Sequence, residues 1–178
     1  MPRVWVSVGS NIERERSIRA ALWELDRLFG DLVISPVYET EAVGFEGDAF
    51  FNLVVGFDSD RRPGELHGLL REVEARHGRR RDGAKFSART LDLDVLTYGN
   101  EVTDEGGKPL PRDEIEKYAF VLLPLADVAP EERHPQLDLT YRELWKQFEQ
   151  SHTEHLQKLD APAWLDGWEN GPDVQPGC

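Results

Sequence analysis

Residues 79–94 read RRRDGAKFSARTLDLD, and the apolar run that closes them continues as LDLDVLTY over 91–98. Alternate side chains of a strand share a face, which puts Thr90, Asp92, Asp94 and Leu96 on one side and Leu91, Leu93 and Val95 on the other. Two ionised acids side by side repel unless cationic charge lies between them. Mg2+ suits the place, because it takes one or two carboxylates and fills its other positions with water and phosphate oxygens. Arg79, Arg80, Arg81, Lys85 and Arg89, with Arg76 one turn earlier, load the preceding segment with positive charge. Arginine's planar fork donates two bonds at once to a phosphate. A basic loop running into an acidic metal site predicts a polyphosphate held between them. The plainer readings are two solvated acids on the wet face of an antiparallel strand and arginines that complement a helix C-terminus. The second covers Arg76 and Arg79 but leaves Arg89 unexplained.

Upstream, Val4, Val6 and Val8 alternate in RVWVSV and predict a strand over 3–8, turned at Gly9-Ser10-Asn11. Ile18, Ala21, Leu22, Leu25 and Leu28 recur at helical spacing from Arg14 to Phe29, with Gly30 as the stop. Strands are expected over Leu32–Thr40 and Phe50–Asp58, joined by the glycine-containing loop EAVGFEGDA. Pro63 opens a second helix carrying Leu66, Leu69, Leu70 and Val73, which ends at Gly78. With the LDLDVL strand the order is β-α-β-β-α-β, a ferredoxin-like α+β fold. Beyond it, 101–114 is loop-rich and 118–130 is a buried apolar segment. Thr140 and Glu143 form a capping box that starts a last helix. Residues 1–160 read as one domain and 161–178 as a loosely packed tail, which Trp164 and Trp168 could anchor.

A net charge of −13 opposes long-range attraction to nucleic acid or anionic membranes. The single cysteine, Cys178, excludes an internal disulfide or cysteine metal cage. The start MPRVWVSVGSN has no long apolar core and no run reaches membrane-spanning length, so a cytoplasmic protein is expected. Neither a P-loop nor a G-x-G-x-x-G fingerprint occurs. Gly9 therefore reads as a turn glycine, His152 and His155 as a solvated helix face, and His67, His77 and His134 fit no pattern. Single-stranded RNA-binding domains share the βαββαβ order, and GFEGDAFF is faintly like their aromatic motif, but the acidity of the chain argues against that class.

VGSN at 8–11, FFNLVV at 50–55, E-x-R-x-G-R-x-R at 74–81, ARTLDLDVLTYGN at 88–100 and P-x-D-E-I-x-x-Y-A-F-V-L-x-P-L at 111–125 together resemble 6-hydroxymethyl-7,8-dihydropterin pyrophosphokinases of folate biosynthesis. The similarity runs from about Val4 to Pro130. It implies Mg-dependent transfer of pyrophosphate from ATP to the pterin hydroxymethyl oxygen, with two Mg2+ ions held by Asp92 and Asp94. It assigns Arg79, Arg89 and Asp94 to catalysis, and Glu74, Arg79, Arg81, Arg89, Val95 and Arg112 to ATP. Thr40, Val43, Phe50, Asn52 and Phe120 fall to the pterin. It further implies a monomer acting on small molecules, without nucleic acid or membrane. The chain departs from the family pattern at Arg112 (histidine there), Tyr118 (arginine), Phe86-Ser87-Ala88 (Trp-Gly-Pro) and Glu41-Ala42-Val43 (Pro-Pro-Leu). Arg112 can replace a histidine as a phosphate contact, whereas Tyr118 cannot supply an arginine's charge. A paralogue that binds pterin or nucleotide with altered or no catalysis is the alternative.

Overall fold

The computed structural model describes residues 1–40, 49–77, 91–151 and 156–173. Val43, Arg79, Arg81, Arg89, His152 and His155 lie outside the described residues, as do most of the loop after Thr40 and of the basic segment. The elements run β1 (Arg3–Ser10), α1 (Arg14–Phe29), β2 (Val33–Ile34), β3 (Tyr38–Thr40), β4 (Phe50–Asp58), α2 (Pro63–Arg76), β5 (Asp92–Tyr98), α3 (Glu114–Lys117), α4 (Ala119–Val128), α5 (Tyr141–Glu149) and β6 (Leu156–Lys158). The sheet order is β5-β1-β4-β3-β6, with β2 also on β4, and every pairing is antiparallel. The ferredoxin-like order read from the sequence is therefore present, with one strand added at its edge.

The alternation of each strand divides the interior into two layers. Val4, Val6 and Val8 of β1, Phe51, Leu53, Val55 and Phe57 of β4, and Leu93 and Val95 of β5 pack with Ile18, Leu22, Leu25, Leu66, Leu70 and Val73 of α1 and α2. On the other face Trp5, Val54 and Leu96 meet Val121, Leu122 and Leu125 of α4 and Tyr141 and Phe148 of α5. Gly56 is required there: a Cβ on it would stand 2.3 Å from the Trp5 ring. Trp5 in turn donates its indole N–H to both carboxylate oxygens of Glu132 at 3.1 Å.

Three sequence expectations are corrected. The strand expected over Leu32–Thr40 is two short ones, β2 and β3, broken at Ser35-Pro36; proline cannot donate to a ladder. The alternation of β5 also slips, because Trp5 pairs with Thr97 and Val6 with Val95. Leu96 is thus an extra residue, and the bulge returns Tyr98 to the layer of Val95. Finally, the tail is packed through residue 173: two short 3-10 turns follow β6, and Trp164 and Trp168 lie against the first layer. The capping box of α5 is present in both directions, Glu143 N–H to Thr140 Oγ1 at 3.1 Å and Thr140 N–H to Glu143 Oε1 at 3.0 Å.

His134, which fitted no sequence pattern, is a buried structural residue. Its Nδ1 accepts the backbone N–H groups of Gln136 and Leu137 at 3.1 and 3.2 Å. Burial lowers its pKa from 6.5, partly offset by Glu116. As pH falls below 6.5 the unfolded chain takes up a proton that the folded chain resists, so stability drops until the folded pKa is reached. Denaturant titrations from pH 7.5 to pH 5 are expected to show this loss, and His134→Asn, which keeps an acceptor but cannot titrate, to make it smaller, the share of the buried His67 remaining. An identical pH profile in the variant would contradict the assignment.

Candidate active site

β5 is an edge strand, and its acidic face is the face that carries Trp5 and α4. Asp92 stands opposite Gly9 and Asp94 opposite Ser7 on β1. On the far side of β1, Gly9 stands opposite Asn52 of β4, and Asn52 opposite Tyr38 of β3. Asp92, Gly9, Asn52 and Tyr38 thus form one row across four strands. Strand spacing puts Asp92 and Asn52 roughly 10 Å apart with no side chain between them. A Cβ on Gly9 would stand 3.0 Å from Asn52 Oδ1 and 3.9 Å from the Phe50 ring. Gly9 is therefore a strand residue whose missing side chain opens the floor of a site, which corrects its reading as a turn glycine.

Asn52 is buried and donates its Nδ2 to Thr40 Oγ1 at 3.0 Å, so the amide is held with Oδ1 toward Gly9. Phe50 is paired with Thr40 across the sheet. Phe120 lies in α4 over the same face and stacks on the exposed Tyr118 ring at 5.0 Å. Tyr38 donates its hydroxyl to Asp127, tying α4 to the sheet beside Asn52. Thr40, Phe50, Asn52 and Phe120 are thus gathered on the face that carries the acids.

Asp92 and Asp94 are both half-buried. Asp94 Oδ1 receives Arg71 Nη2 at 3.1 Å and Lys108 Nζ at 3.3 Å. Burial opposes ionisation of Asp94, but the charges of Lys108, Arg71 and Arg112 and the Arg71 hydrogen bond outweigh it and hold its pKa below the usual carboxylate range. Arg112 grips Glu114 through two bonds of 2.7 and 2.9 Å, and its backbone N–H is bonded to Leu96 O at 2.8 Å. His67 is buried beside this cluster, and neither ring nitrogen has a hydrogen-bond partner among the described residues. Burial, then the charges of Lys108, Arg71 and Arg112, lower its pKa against the pull of Asp94. It is a neutral imidazole at neutral pH.

Two residues assigned to ATP by resemblance have buried side chains. Val95 is wholly buried in the first layer, so only its backbone on the edge strand can reach a ligand. Glu74 is 1% exposed; it accepts Arg71 Nη1 at 2.6 Å and the Leu93 backbone N–H at 2.9 Å, joining α2 to β5. Arg71, Lys108 and His67 were missed by the sequence reading. Arg71 could have been suspected from its i, i+3 spacing to Glu74, but nothing local marks Lys108.

Among the described residues no group of three or more His, Cys, Asp or Glu could hold a metal. Mg2+ does not need one, since one or two carboxylates and substrate phosphates suffice. Asp92 and Asp94, hard oxygen donors on one face with Asp94 kept ionised, fit such an ion.

Fold and site describe a ferredoxin-like α+β protein with an acidic pair, a fixed amide and flanking cations on one sheet face. Residues 5–130 match the family described as 7,8-dihydro-6-hydroxymethylpterin-pyrophosphokinase. A 2-amino-4-hydroxy-6-hydroxymethyldihydropteridine pyrophosphokinase of Pseudomonas aeruginosa is 37% identical over 75% of this chain and 84% of its own. One from Aquifex aeolicus is 32% identical over 86% of this chain and 94% of its own. The chain also superposes on Plasmodium falciparum HPPK-DHPS with a TM-score of 0.69 at 14% identity, over 88% of this chain and 48% of that longer one. The chain belongs to the 7,8-dihydro-6-hydroxymethylpterin-pyrophosphokinase family.

Proposed function

We propose that this chain transfers pyrophosphate from ATP to the hydroxymethyl oxygen of 6-hydroxymethyl-7,8-dihydropterin, giving AMP and the pterin diphosphate. The observation that carries the reading is the row Asp92–Gly9–Asn52, with Asp94 two residues along β5. It sets a heterocycle-reading amide and a pair of anionic oxygen donors at opposite ends of one open floor. The hydroxymethyl oxygen attacks the β-phosphorus, the bond from that phosphorus to the α–β bridging oxygen breaks, AMP departs with that oxygen, and the hydroxyl proton passes to water. Asn52 offers its Oδ1 to the flat ring's edge while Thr40 fixes the amide's orientation. Phe50 and Phe120 supply apolar faces for that ring.

Asp92 and Asp94 would hold the two Mg2+ ions, which neutralise the phosphate oxygens when bound. The depressed pKa of Asp94 suits a carboxylate that stays charged better than one that accepts the hydroxymethyl proton. Arg112, on the nucleotide side by the motif match, keeps its charge on Glu114 until a phosphate competes for the fork. Arg79, Arg81 and Arg89 are assigned to the phosphates on the same match. The chain works as a monomer on small molecules in the cytoplasm. No helix among the described residues is long and apolar enough to cross a membrane.

The reading is tested by 31P NMR of ATP incubated with the chain, Mg2+ and the hydroxymethyl pterin. AMP and a pterin diphosphate are expected, neither appearing when the pterin or Mg2+ is omitted. Pterin binding with no AMP formed would favour the non-catalytic paralogue. ADP as product, or AMP formed equally without pterin, would overturn the reading.

A further inference from the structure

The family match ends at residue 130, yet the chain goes on to extend the sheet that carries Asn52 and to pack on its opposite face. β6 pairs with β3 through Tyr38–Lys158, Glu39–Gln157 and Thr40–Leu156, and Leu159 N–H continues the ladder to Val37 O at 2.9 Å. β3 has three residues. A strand that short frays at a sheet edge unless both sides are paired. Thr40, whose hydroxyl sets the Asn52 amide, is held between β4 and β6.

The segment is then locked down from α1. Arg19 is 3% exposed, and its guanidinium donates to the carbonyls of Trp164, Asp166, Gly167 and Gly171. Burying that charge is costly unless something replaces its water, and here the carbonyls of one wrapped segment do so. Wrapping seats the Trp164 ring parallel to the Phe51 ring, with centroids 5.2 Å apart and planes 2° from coplanar. Phe51 precedes Asn52 and points into the opposite layer. Arg14 holds the same ring, its guanidinium 3.8 Å from the centroid, while Nη1 reaches Glu39 Oε2 at 3.0 Å and Ala49 O at 2.8 Å. Phe51, the chain neighbour of Asn52, and Thr40, its hydrogen-bond partner, are thus both held by contacts that include residues 156–164.

We propose that the C-terminal segment 156–173 is a positioning element for pterin recognition, with Trp164 its principal contact residue. The inference rests on the assignment of the pterin to Asn52. Trp164 touches no substrate; it acts through Phe51 on the strand that presents the amide.

The test uses the full chain with Trp164→Ala, and Trp164→Leu should the alanine variant fail to fold. The pterin dissociation constant, read from pterin fluorescence, is expected to rise about tenfold, the size of a lost aromatic contact. ATP affinity should stay within about twofold, and the loss should appear in the pterin KM with kcat nearly unchanged. Trp164→Phe should restore binding. Hydrogen exchange of the Asn52 side-chain amide, followed by NMR, should be slow in the parent chain and fast in the alanine variant. Unchanged pterin affinity with slow exchange would overturn the proposal, as would an equal fall in pterin and ATP affinity. If the parent chain binds no pterin, the functional reading fails instead, and the exchange arm still decides whether the segment holds Asn52.

Discussion

Replacing Asp94 with asparagine is expected to lower pterin-dependent AMP formation by about three orders of magnitude while lowering the melting temperature only modestly, by the loss of its ion pairs with Arg71 and Lys108. The side chain is 25% exposed on an edge strand, and asparagine keeps its shape and an oxygen able to accept from Arg71 and Lys108. What it loses is the negative charge, which the surrounding cations keep fully developed at neutral pH. A metal-dependent phosphoryl-type transfer depends on that charge far more than the fold does. Asp92→Asn is expected to act in the same direction. Steady-state rates of AMP formation with saturating ATP and pterin measure the effect; a rate unaffected by Asp94→Asn would remove this carboxylate from the reaction.

Glu74→Ala is expected to act on stability first, in spite of the motif that places Glu74 beside the nucleotide. The side chain is 1% exposed and bridges Arg71 of α2 to the Leu93 backbone of β5. Removing it strands a buried N–H and releases Arg71, which costs about 3 kcal/mol. For a chain of this size that corresponds to a melting temperature lower by roughly 6–12 °C. Glu74→Gln, which keeps an acceptor for Leu93, should lose less. Differential scanning calorimetry of the two variants checks the ordering. A melting temperature unchanged in Glu74→Ala would contradict the structural role of the bridge.

The parts of the structure that were legible are those written in local period. Val4-Val6-Val8 and Leu91-Leu93-Val95 predicted the buried layer, and the same alternation placed Asp92 with Asp94 on the other face. Pro63, Gly30 and the Thr140–Glu143 box marked helix ends for reasons of backbone geometry and capping. The break at Pro36 went unread, because the hydrophobic run around it hid the signal that proline cannot serve a continuous ladder. The bulge at Leu96 was not legible, because alternation alone does not reveal an extra residue in one strand of a pair.

The candidate site was legible where a family motif named its residues and illegible where the chain converges from a distance. Lys108 is fourteen residues from Asp94, and its place beside Arg71 is set by tertiary packing rather than by spacing. Gly9 looked like punctuation, and its role appears only when Asp92 and Asn52 are seen on either side of it. β6 spans three residues, too few for a period, and nothing local to Arg19 marks that charged residue of α1 as buried. The RNA-binding reading shared the strand order, and the family match together with the acidic pair on the sheet face decides against it.

The most direct test is a crystal structure of the chain with Mg2+, a non-transferable ATP analogue and the hydroxymethyl pterin. The account predicts metal at about 2.1 Å from carboxylate oxygens of both Asp92 and Asp94, with the pterin edge on the Asn52 amide and its hydroxymethyl group reaching over Gly9. Phosphates bound elsewhere, with both carboxylates unligated and Asn52 remote from the pterin, would contradict it.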